Sequence, residues 1–293
     1  MKRFFRSISA LSLSLAIAIS SLCFGMTAFA EEKEEKGVLP KEEVVFAKKA
    51  GELKAKNSDV CGWIKIPGTS VNDPIVYSKD NLNYLRSDVN GKWDYFGSYF
   101  CDMDNMGFKN GNRDKLDRHT VIYGHNVYWG IKTPRVWLGH TLPILNTEAL
   151  GADYKDGLGF AQIYKYKDPE FAKNHPYLYI STDKEDMVWE VFASYYTDLK
   201  FPFNSSQSLK DEQGLINVVC ESKAKSLFDY NVPVYTSDNI ITLSTCSYIE
   251  GPRVDDLRFH VCARLVKKGE ALKENATITK NKDKIGYRHT LMF

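Results

Sequence analysis

The stretch Asn239-Ile-Ile-Thr-Leu-Ser-Thr-Cys246 has the composition of a buried β-strand that ends at a cysteine. Isoleucine and leucine favour strands, and the preceding Ser237-Asp238 is typical of a turn. Because side chains alternate along a strand, Thr242, Ser244 and Cys246 share one face. The thiol is therefore held by the sheet and presented at its rim, where a nucleophile is accessible.

Two further predicted strands carry polar side chains that suit a reactive thiol. Residues 119–126 carry His125 next to their last position, and residues 257–266 place Arg258 and His260 on one face. A thiol that attacks an acyl group needs a partner for its proton and a cation or N–H pair for the oxyanion. His125 and Arg258 are the candidates for these roles. His260 competes with His125 because it shares a strand face with Arg258.

The remaining chain predicts more short strands and a few helices. We expect strands over residues 60–66, 74–77, 97–101, 177–181 and 187–197, and helices over residues 41–57, 160–174 and 206–224, the last capped by Asn204 or Ser205. Residues 127–158 have little periodicity and are predicted to form a long loop or insertion after His125. Because the strands cluster, the pattern favours a mostly β domain with peripheral helices, arranged as a barrel.

The N-terminus has the features of an export segment. Lys2, Arg3 and Arg6 precede an apolar run over residues 8–30, and acidic residues follow it. This charge bias places the N-terminus in the cytosol and the rest outside. Ala28-Phe29-Ala30 fits a signal-peptidase site, but the run also has the roughly 20 residues that a membrane span needs. Residues 1–30 are therefore a signal peptide or a retained membrane anchor.

The rest of the chain divides into three parts. Residues 31–58 are predicted to be a tether and an N-terminal helical segment, residues 59–268 a catalytic domain, and residues 269–293 a peripheral C-terminal tail. The net charge of +2 does not indicate a nucleic-acid partner. Of six cysteines, removing Cys23 leaves five (6 − 1), which is odd and too few for a disulfide scaffold of this size.

An Asp- and Asn-rich stretch after residue 101 suggests a calcium loop, but its spacing is wrong. Met106 and Arg113 occupy positions where an EF-hand needs oxygen ligands. No metal site is therefore predicted.

Three motifs resemble those of one enzyme family. Thr242-Leu-Ser-Thr-Cys246 resembles the TLxTC signature of sortases, the cysteine transpeptidases of Gram-positive cell surfaces. Tyr123-Gly-His125-Asn126 resembles the histidine motif of that family, and Arg258-Phe-His-Val-Cys-Ala-Arg264 resembles its arginine strand. The resemblance covers most of residues 60–266. The resemblance is strongest to class B sortases. The predicted helices before the core, after residue 160 and before the cysteine strand are similar to helices of that class.

The resemblance implies an eight-stranded sortase-type β-barrel and a set of residue roles. Cys246 would attack a sorting-signal peptide after its threonine and form a thioester. His125 would protonate the leaving amine and deprotonate the incoming one, and Arg258 would hold the substrate carbonyl or oxyanion. Ser244 and Thr245 would contact substrate or oxyanion. The resemblance implies neither a metal nor another cofactor.

The same resemblance implies partners and a location. The substrates would be surface proteins that carry a sorting signal, with an NPxTx-like motif in class B. The acceptor would be an amine of a peptidoglycan precursor or of a pilin lysine. The enzyme would act at the extracellular face of the membrane, attached through its N-terminal segment if that segment is retained.

Two other kinds of protein are consistent with parts of the pattern. An L,D-transpeptidase is also exported and β-rich, but it needs a glycine directly before the cysteine and an arginine close after it. Here Thr245 precedes the cysteine and Ser247-Tyr248 follow. A non-catalytic adhesion or pilus module would bury Cys246 as a structural thiol. That module leaves unexplained why a thiol, an imidazole and a guanidinium all end or line strands.

Overall fold

The computed structural model describes residues 45–127, 135–137, 140–142, 158–201, 211–250, 256–289 and 291. The predicted signal peptide or anchor, residues 31–44 of the tether, most of the 127–158 segment and the Asn204 or Ser205 cap lie outside these residues. Within the described part of the chain, no helix combines the length and apolar character that a membrane crossing requires.

Strands dominate the described chain. In chain order they are β1 (Val60–Lys65), β2 (Asn72–Tyr77), β3 (Tyr99–Cys101), β4 (His119–Tyr123), β5 (Asn126–Val127), β6 (Arg135–Trp137), β7 (His140–Leu142), β8 (Leu158–Gly159), β9 (Tyr177–Thr182), β10 (Val188–Asp198), β11 (Phe228–Asp229), β12 (Ile240–Cys246), β13 (Leu257–Leu265) and β14 (Thr279–Lys280). The α-helices are α1 (Phe46–Lys54), α2 (Met106–Asn110), α3 (Pro169–Asn174) and α4 (Glu212–Lys225). Short 3₁₀-helices cover Asn83–Leu85, Arg113–Lys115 and Phe160–Lys167.

Eight of these strands close a barrel in the order β1-β2-β3-β4-β12-β13-β10-β9. This confirms the predicted eight-stranded barrel with peripheral helices. The centre of the molecule is filled by large apolar side chains that are fully buried, among them Trp189, Phe192, Phe259 and Ile64. Burial of these side chains supplies most of the driving force for folding.

The cysteine strand lies between two neighbours of opposite direction. β12 runs parallel to β4, with Ser244 beside Tyr123, and antiparallel to β13, with Cys246 opposite Arg258. Ile240 to Leu243 are fully buried, as the sequence pattern predicts. Because both neighbours are hydrogen-bonded along its length, the strand gives its last residue a defined position.

The prediction of one continuous helix over residues 160–174 is wrong. A 3₁₀-helix ends at Lys167, and α3 begins at Pro169. Between them Asp168 is extended, and its carboxylate accepts hydrogen bonds from the amides of Glu170 and Phe171. A residue before proline disfavours helical backbone, and aspartate is a good N-cap, so the break follows from local chemistry.

The other two helices are shorter than predicted where they can be compared. α1 begins at Phe46 and ends at Lys54 rather than near residue 57. In α4, Asp211 is the N-cap, because its side chain accepts a hydrogen bond of 2.6 Å from the amide of Gly214.

The C-terminal tail packs against the domain. β14 pairs with β11, the amide of Ile285 donates to the carbonyl of Ala224, and the amide of Leu291 donates to the carboxylate of Glu221. Ala224 and Glu221 belong to α4, so the tail crosses the C-terminal half of that helix. Sequence composition predicts none of these contacts.

The Asp-rich stretch after β3 makes hydrogen bonds within the protein. Asp102 accepts from the side chain of Asn81, the hydroxyl of Tyr123 and the amide of Asp104. Asn105 bonds the main chain of β4. No group of three or more potential metal-ligating side chains occurs among the described residues.

Candidate active site

Cys246 ends β12 and is half-buried. Among the free cysteines of the described residues, Cys61, Cys101 and Cys262 are buried, so Cys246 is the accessible thiol of that set. Its cross-strand partner is Arg258 on β13. Side chains that face each other across such a pair start from Cβ atoms roughly 4.5–5.5 Å apart. The side chains of Cys246 and Arg258 therefore start from neighbouring positions on one face of the sheet.

His125 reaches the same end of the sheet from the other side. In the parallel pair, Ser244 lies beside Tyr123, and the amide of Gly124 continues the ladder with a bond of 3.3 Å to the carbonyl of Ser244. Two residues further along each chain bring Cys246 and His125 to equivalent positions. β4 ends at Tyr123, so His125 lies just beyond that strand, near the rim where β12 ends in Cys246.

The ring of His125 is uncharged and hydrogen-bonds the main chain of Leu85. Its Nε2 donates to the carbonyl oxygen of Leu85 over 2.7 Å, and since a carbonyl only accepts, Nε2 carries the proton. The lone pair of the neutral ring is then on Nδ1. Burial lowers the pKa of His125 below its ordinary 6.5, the bond to Leu85 opposes this, and the positive charge of Arg86 lowers the pKa further. His125 is therefore a neutral base near pH 7.

The main chain of Cys246 is held by two side chains that sequence reasoning missed. The hydroxyl of Tyr164 donates to the carbonyl oxygen of Cys246 over 2.6 Å, and the side-chain amide of Asn126 donates to the same oxygen over 3.0 Å. Asn126 could have been suspected from its place beside His125 in the motif. Tyr164 comes from the 3₁₀-helix Phe160–Lys167 and has no sequence signal.

Arg258 is half-buried, and its guanidinium donates to the carbonyl oxygen of Leu257 over 2.8 Å. A guanidinium carries five N–H donors, so the group has the donors to hold this carbonyl and an oxyanion together. The oxyanion role of Arg258 stays a prediction.

The competing histidine, His260, lies in the interior. It is fully buried and shares hydrogen bonds with the hydroxyls of Ser244 (3.1 Å) and Tyr195 (3.2 Å). Burial, together with the nearby cations of Arg258 and Lys225, lowers the pKa of His260 well below 6.5. A neutral, enclosed imidazole with both nitrogens in hydrogen bonds is a structural group, so the geometry favours His125 as the proton carrier.

The two predicted substrate contacts, Ser244 and Thr245, are both buried. The hydroxyl of Ser244 bonds His260, and that of Thr245 donates to the carbonyl of Gly124 over 2.7 Å. These bonds tie β12 to β13 and to the end of β4. A contact of either residue with substrate stays a prediction.

A half-buried thiol with a neutral imidazole and a guanidinium beside it, at one end of a closed barrel, is the arrangement of a cysteine-nucleophile enzyme. Comparison with known proteins agrees with this class. Sortase B of Listeria monocytogenes is 30% identical over 195 residues, which cover 67% of this chain and 65% of that protein. Sortase B of Staphylococcus aureus is 28% identical over 217 residues, 73% of each chain.

Solved structures give the same result. A substrate complex of Staphylococcus aureus sortase B has a TM-score of 0.58 at 25% identity, covering 76% of this chain and 86% of that one. No protein-family model matches the sequence. The chain spans slightly less than two thirds, 65%, of the length of the Listeria relative. The chain is therefore similar in sequence and in fold to sortases, and the relatives and solved structures named here are all sortase B proteins.

Proposed function

We propose that this chain is an extracytoplasmic cysteine transpeptidase of the class B type. It cuts a sorting-signal peptide after a threonine and transfers the new acyl end to an amine. The observation that carries this proposal is the convergence of Cys246, Arg258 and His125 on one end of the barrel. Arg258 is the cross-strand neighbour of the thiol, and His125 follows the parallel neighbour strand.

In the first half-reaction, the thiol of Cys246 gives its proton to the imidazole of His125. The sulfur attacks the threonine carbonyl carbon, and the guanidinium of Arg258 holds the oxyanion that forms. The carbon–nitrogen bond then breaks, and the leaving amine takes the proton from His125. The product is a thioester on Cys246.

In the second half-reaction, the acceptor amine attacks the thioester and gives a proton to His125. The carbon–sulfur bond breaks, Cys246 leaves as a thiolate, and the proton on His125 returns to it. The result is a new amide bond, and no metal or organic cofactor takes part.

The class B resemblance suggests the partners and the location. The substrate would be a surface protein with an NPxTx-like sorting motif, and the acceptor an amine of a peptidoglycan precursor or of a pilin lysine. The enzyme would work at the extracellular face of the cell membrane, with its N-terminus in the cytoplasm if the apolar segment is retained.

Intact-mass spectrometry tests the proposal. The full chain, purified in mild detergent, is incubated with NPxTx-type and LPxTG-type peptides, with and without a small peptide amine. We expect an acyl adduct on Cys246 with an NPxTx-type peptide, its release by the amine, and its absence in Cys246→Ala.

Other results would contradict the proposal in distinct ways. An acyl adduct that persists in Cys246→Ala would refute the assignment of Cys246 as the nucleophile. No adduct with any peptide, together with a Cys246 that resists a small alkylating reagent, would favour the non-catalytic surface module.

A further inference from the structure

The loop between β12 and β13 joins the two residues that the proposed chemistry needs most. It leaves the sheet after Cys246 and returns at Leu257, one residue before Arg258, and the amide of Ser247 closes its base with a bond of 2.9 Å to the carbonyl of Leu257. Glu250 and Asp256 lie within this loop, on either side of residues 251–255, which are outside the described part. Ser247 directly follows Cys246, and Asp256 lies two residues before Arg258, so the ends of the loop adjoin both of these residues.

A single side chain from the C-terminal tail holds both of these carboxylates. The Nε of Arg288 donates to Glu250 over 3.1 Å, and Nη2 bonds the other oxygen of Glu250. Nη1 donates to Asp256 over 3.0 Å and lies 3.9 Å from the carboxylate of the buried Asp198, at the end of β10. The hydroxyl of Tyr287 also donates to Glu250, over 2.6 Å. Two loop carboxylates and one barrel strand therefore meet at Arg288.

Arg288 sits on a segment that is itself anchored. We call residues 285–289 and 291 the C-terminal strap. The buried ammonium of Lys225 donates to the carbonyl of Tyr287 over 3.2 Å, and the carboxylate of Glu221 accepts from the amide of Leu291 over 2.8 Å. Lys225 and Glu221 form a fully buried ion pair of 2.8 Å on α4. Lys225 also donates to Thr197 on β10, so the strap is fastened to the barrel wall through α4.

The electrostatics of the cluster favour its assembly. Hydrogen bonds from Arg288 and Tyr287 lower the pKa of Glu250 to about 2, and those from Arg288 lower the pKa of Asp256. Both carboxylates are therefore ionised at neutral pH. Single exposed ion pairs contribute little, but a bidentate guanidinium bound to two carboxylates fixes geometry as well as charge.

We propose that Arg288 is a positioning residue for the transpeptidase reaction: by clamping Glu250 and Asp256, it holds the β12–β13 loop so that Cys246 and Arg258 stay aligned. This inference rests on the proposed function. It gives the C-terminal strap a role in turnover.

The test compares Arg288→Ala and Arg288→Lys with a matched control, Arg113→Ala. Arg113 also anchors a segment from a partly exposed site, through Glu185 and the carbonyl of Val266, but it does not bond the β12–β13 loop. Single-turnover acylation of Cys246 by a sorting peptide gives the rate and the apparent peptide affinity. Thermal unfolding gives the folded fraction.

We expect Arg288→Ala to slow acylation about tenfold at saturating peptide, with a change in apparent affinity of less than threefold. Arg288→Lys should keep part of the acylation rate, because lysine retains the positive charge but lacks the planar guanidinium that donates to both carboxylates. Adding Glu250→Ala to Arg288→Ala should slow acylation little further, because the bonds of Arg288 to the loop are already lost. A wild-type acylation rate in folded Arg288→Ala, or an equal loss in Arg113→Ala, would overturn the proposal.

A second measurement is independent of any peptide. Hydrogen exchange of the Ser247 amide reports the closed base of the loop, and we expect it to accelerate at least tenfold in Arg288→Ala and to be unchanged in Arg113→Ala. Unchanged exchange in Arg288→Ala would refute the clamp. If the wild-type chain accepts no peptide while exchange still accelerates in Arg288→Ala, the clamp exists and the proposed transpeptidase function has failed instead.

Discussion

The hydroxyl of Tyr164 lies 2.6 Å from the carbonyl oxygen of Cys246 and donates a hydrogen bond to it. The ring of Tyr164 packs against Phe259 on β13, with ring centroids 4.7 Å apart. The 3₁₀-helix that carries Tyr164 thus covers the sheet and fixes the main chain of the nucleophile. A side chain without acid–base function of its own therefore contributes to the geometry of the thiol.

Replacing Tyr164 with phenylalanine should reduce acylation of Cys246 while leaving the fold intact. One lost hydrogen bond is worth about 0.5–1.5 kcal/mol, which predicts roughly a two- to twelvefold lower rate. The matched control is Tyr166→Phe, which removes a buried hydroxyl that bonds the carbonyl of His175. Acylation rates and melting temperatures of both variants check this. Equal rates in the two variants would show that the bond to Cys246 has no role in turnover.

Substitution of the two histidines near the polar strand face should have different effects. His125→Ala should lower the acylation rate by about 10²- to 10⁴-fold, the usual contribution of a general acid–base group. His260→Gln should chiefly lower the free energy of unfolding, because His260 bonds Ser244 and Tyr195 in the interior. Rates corrected for the folded fraction separate the two effects. Full activity in His125→Ala with complete loss in His260→Gln would exchange the roles.

Arg86 should influence the protonation of His125. Its positive charge contributes to the lowered pKa of the imidazole, so Arg86→Gln should raise that pKa. An NMR titration of the His125 ring measures this directly, and the acid limb of the activity profile should move to higher pH with it. Lys92→Gln, which neutralises an exposed cation on the same loop, is the control. An unchanged titration in Arg86→Gln would mean that solvent screens the charge.

Buried histidines should make folding sensitive to acid. Burial lowers the pKa of His119 from 6.5 to about 3, so the unfolded chain binds a proton that the folded chain excludes. The contribution of His119 to the free energy of unfolding is therefore fully present above pH 6.5. It falls as the pH drops toward 3, by about 1.4 kcal/mol per pH unit. When the free energy of unfolding is measured by urea at several pH values in this range, its slope against pH should be smaller in His119→Gln than in the wild type, by about 1.4 kcal/mol per pH unit. Parallel curves for the variant and the wild type would contradict the assignment.

The buried ion pair on α4 should be costly to break. Lys225 and Glu221 are both inaccessible, and removing one partner leaves an uncompensated charge. Lys225→Met should lower the free energy of unfolding by roughly 3–5 kcal/mol. Lys184→Met is the control, because Lys184 pairs with Asp183 from an exposed position and should cost about 1 kcal/mol or less. Similar losses in the two variants, measured by urea unfolding, would argue against this account.

Local pattern was enough to predict the strands that matter most. The alternation of residues 239–246 and 257–266 predicts β12 and β13 to within a residue or two, because each strand is specified by its own side chains. The same pattern predicts which face carries Cys246 and Arg258. The three motifs add the resemblance to sortases, and that resemblance predicts that the strands close into a barrel.

Short-range chemistry that the periodicity hides explains the main error. The apolar spacing of residues 160–174 matches one helix, yet Asp168 before Pro169 divides it. The spacing reports only which side chains are buried. The capping carboxylate and the restricted residue before proline decide the backbone, and they were visible in the sequence.

By itself, the sequence determined that a thiol, an imidazole and a guanidinium would each end or line a β-strand, since that depends on residues close together along the chain. Only the tertiary structure decided that His260 is enclosed in the interior, that Tyr164 bonds Cys246 from 82 residues away, and that Arg288 bonds both Glu250 and Asp256. These are single contacts between distant segments. They leave no periodic trace in the chain, because barrel closure and the path of the tail, not local side-chain preference, bring the partners together.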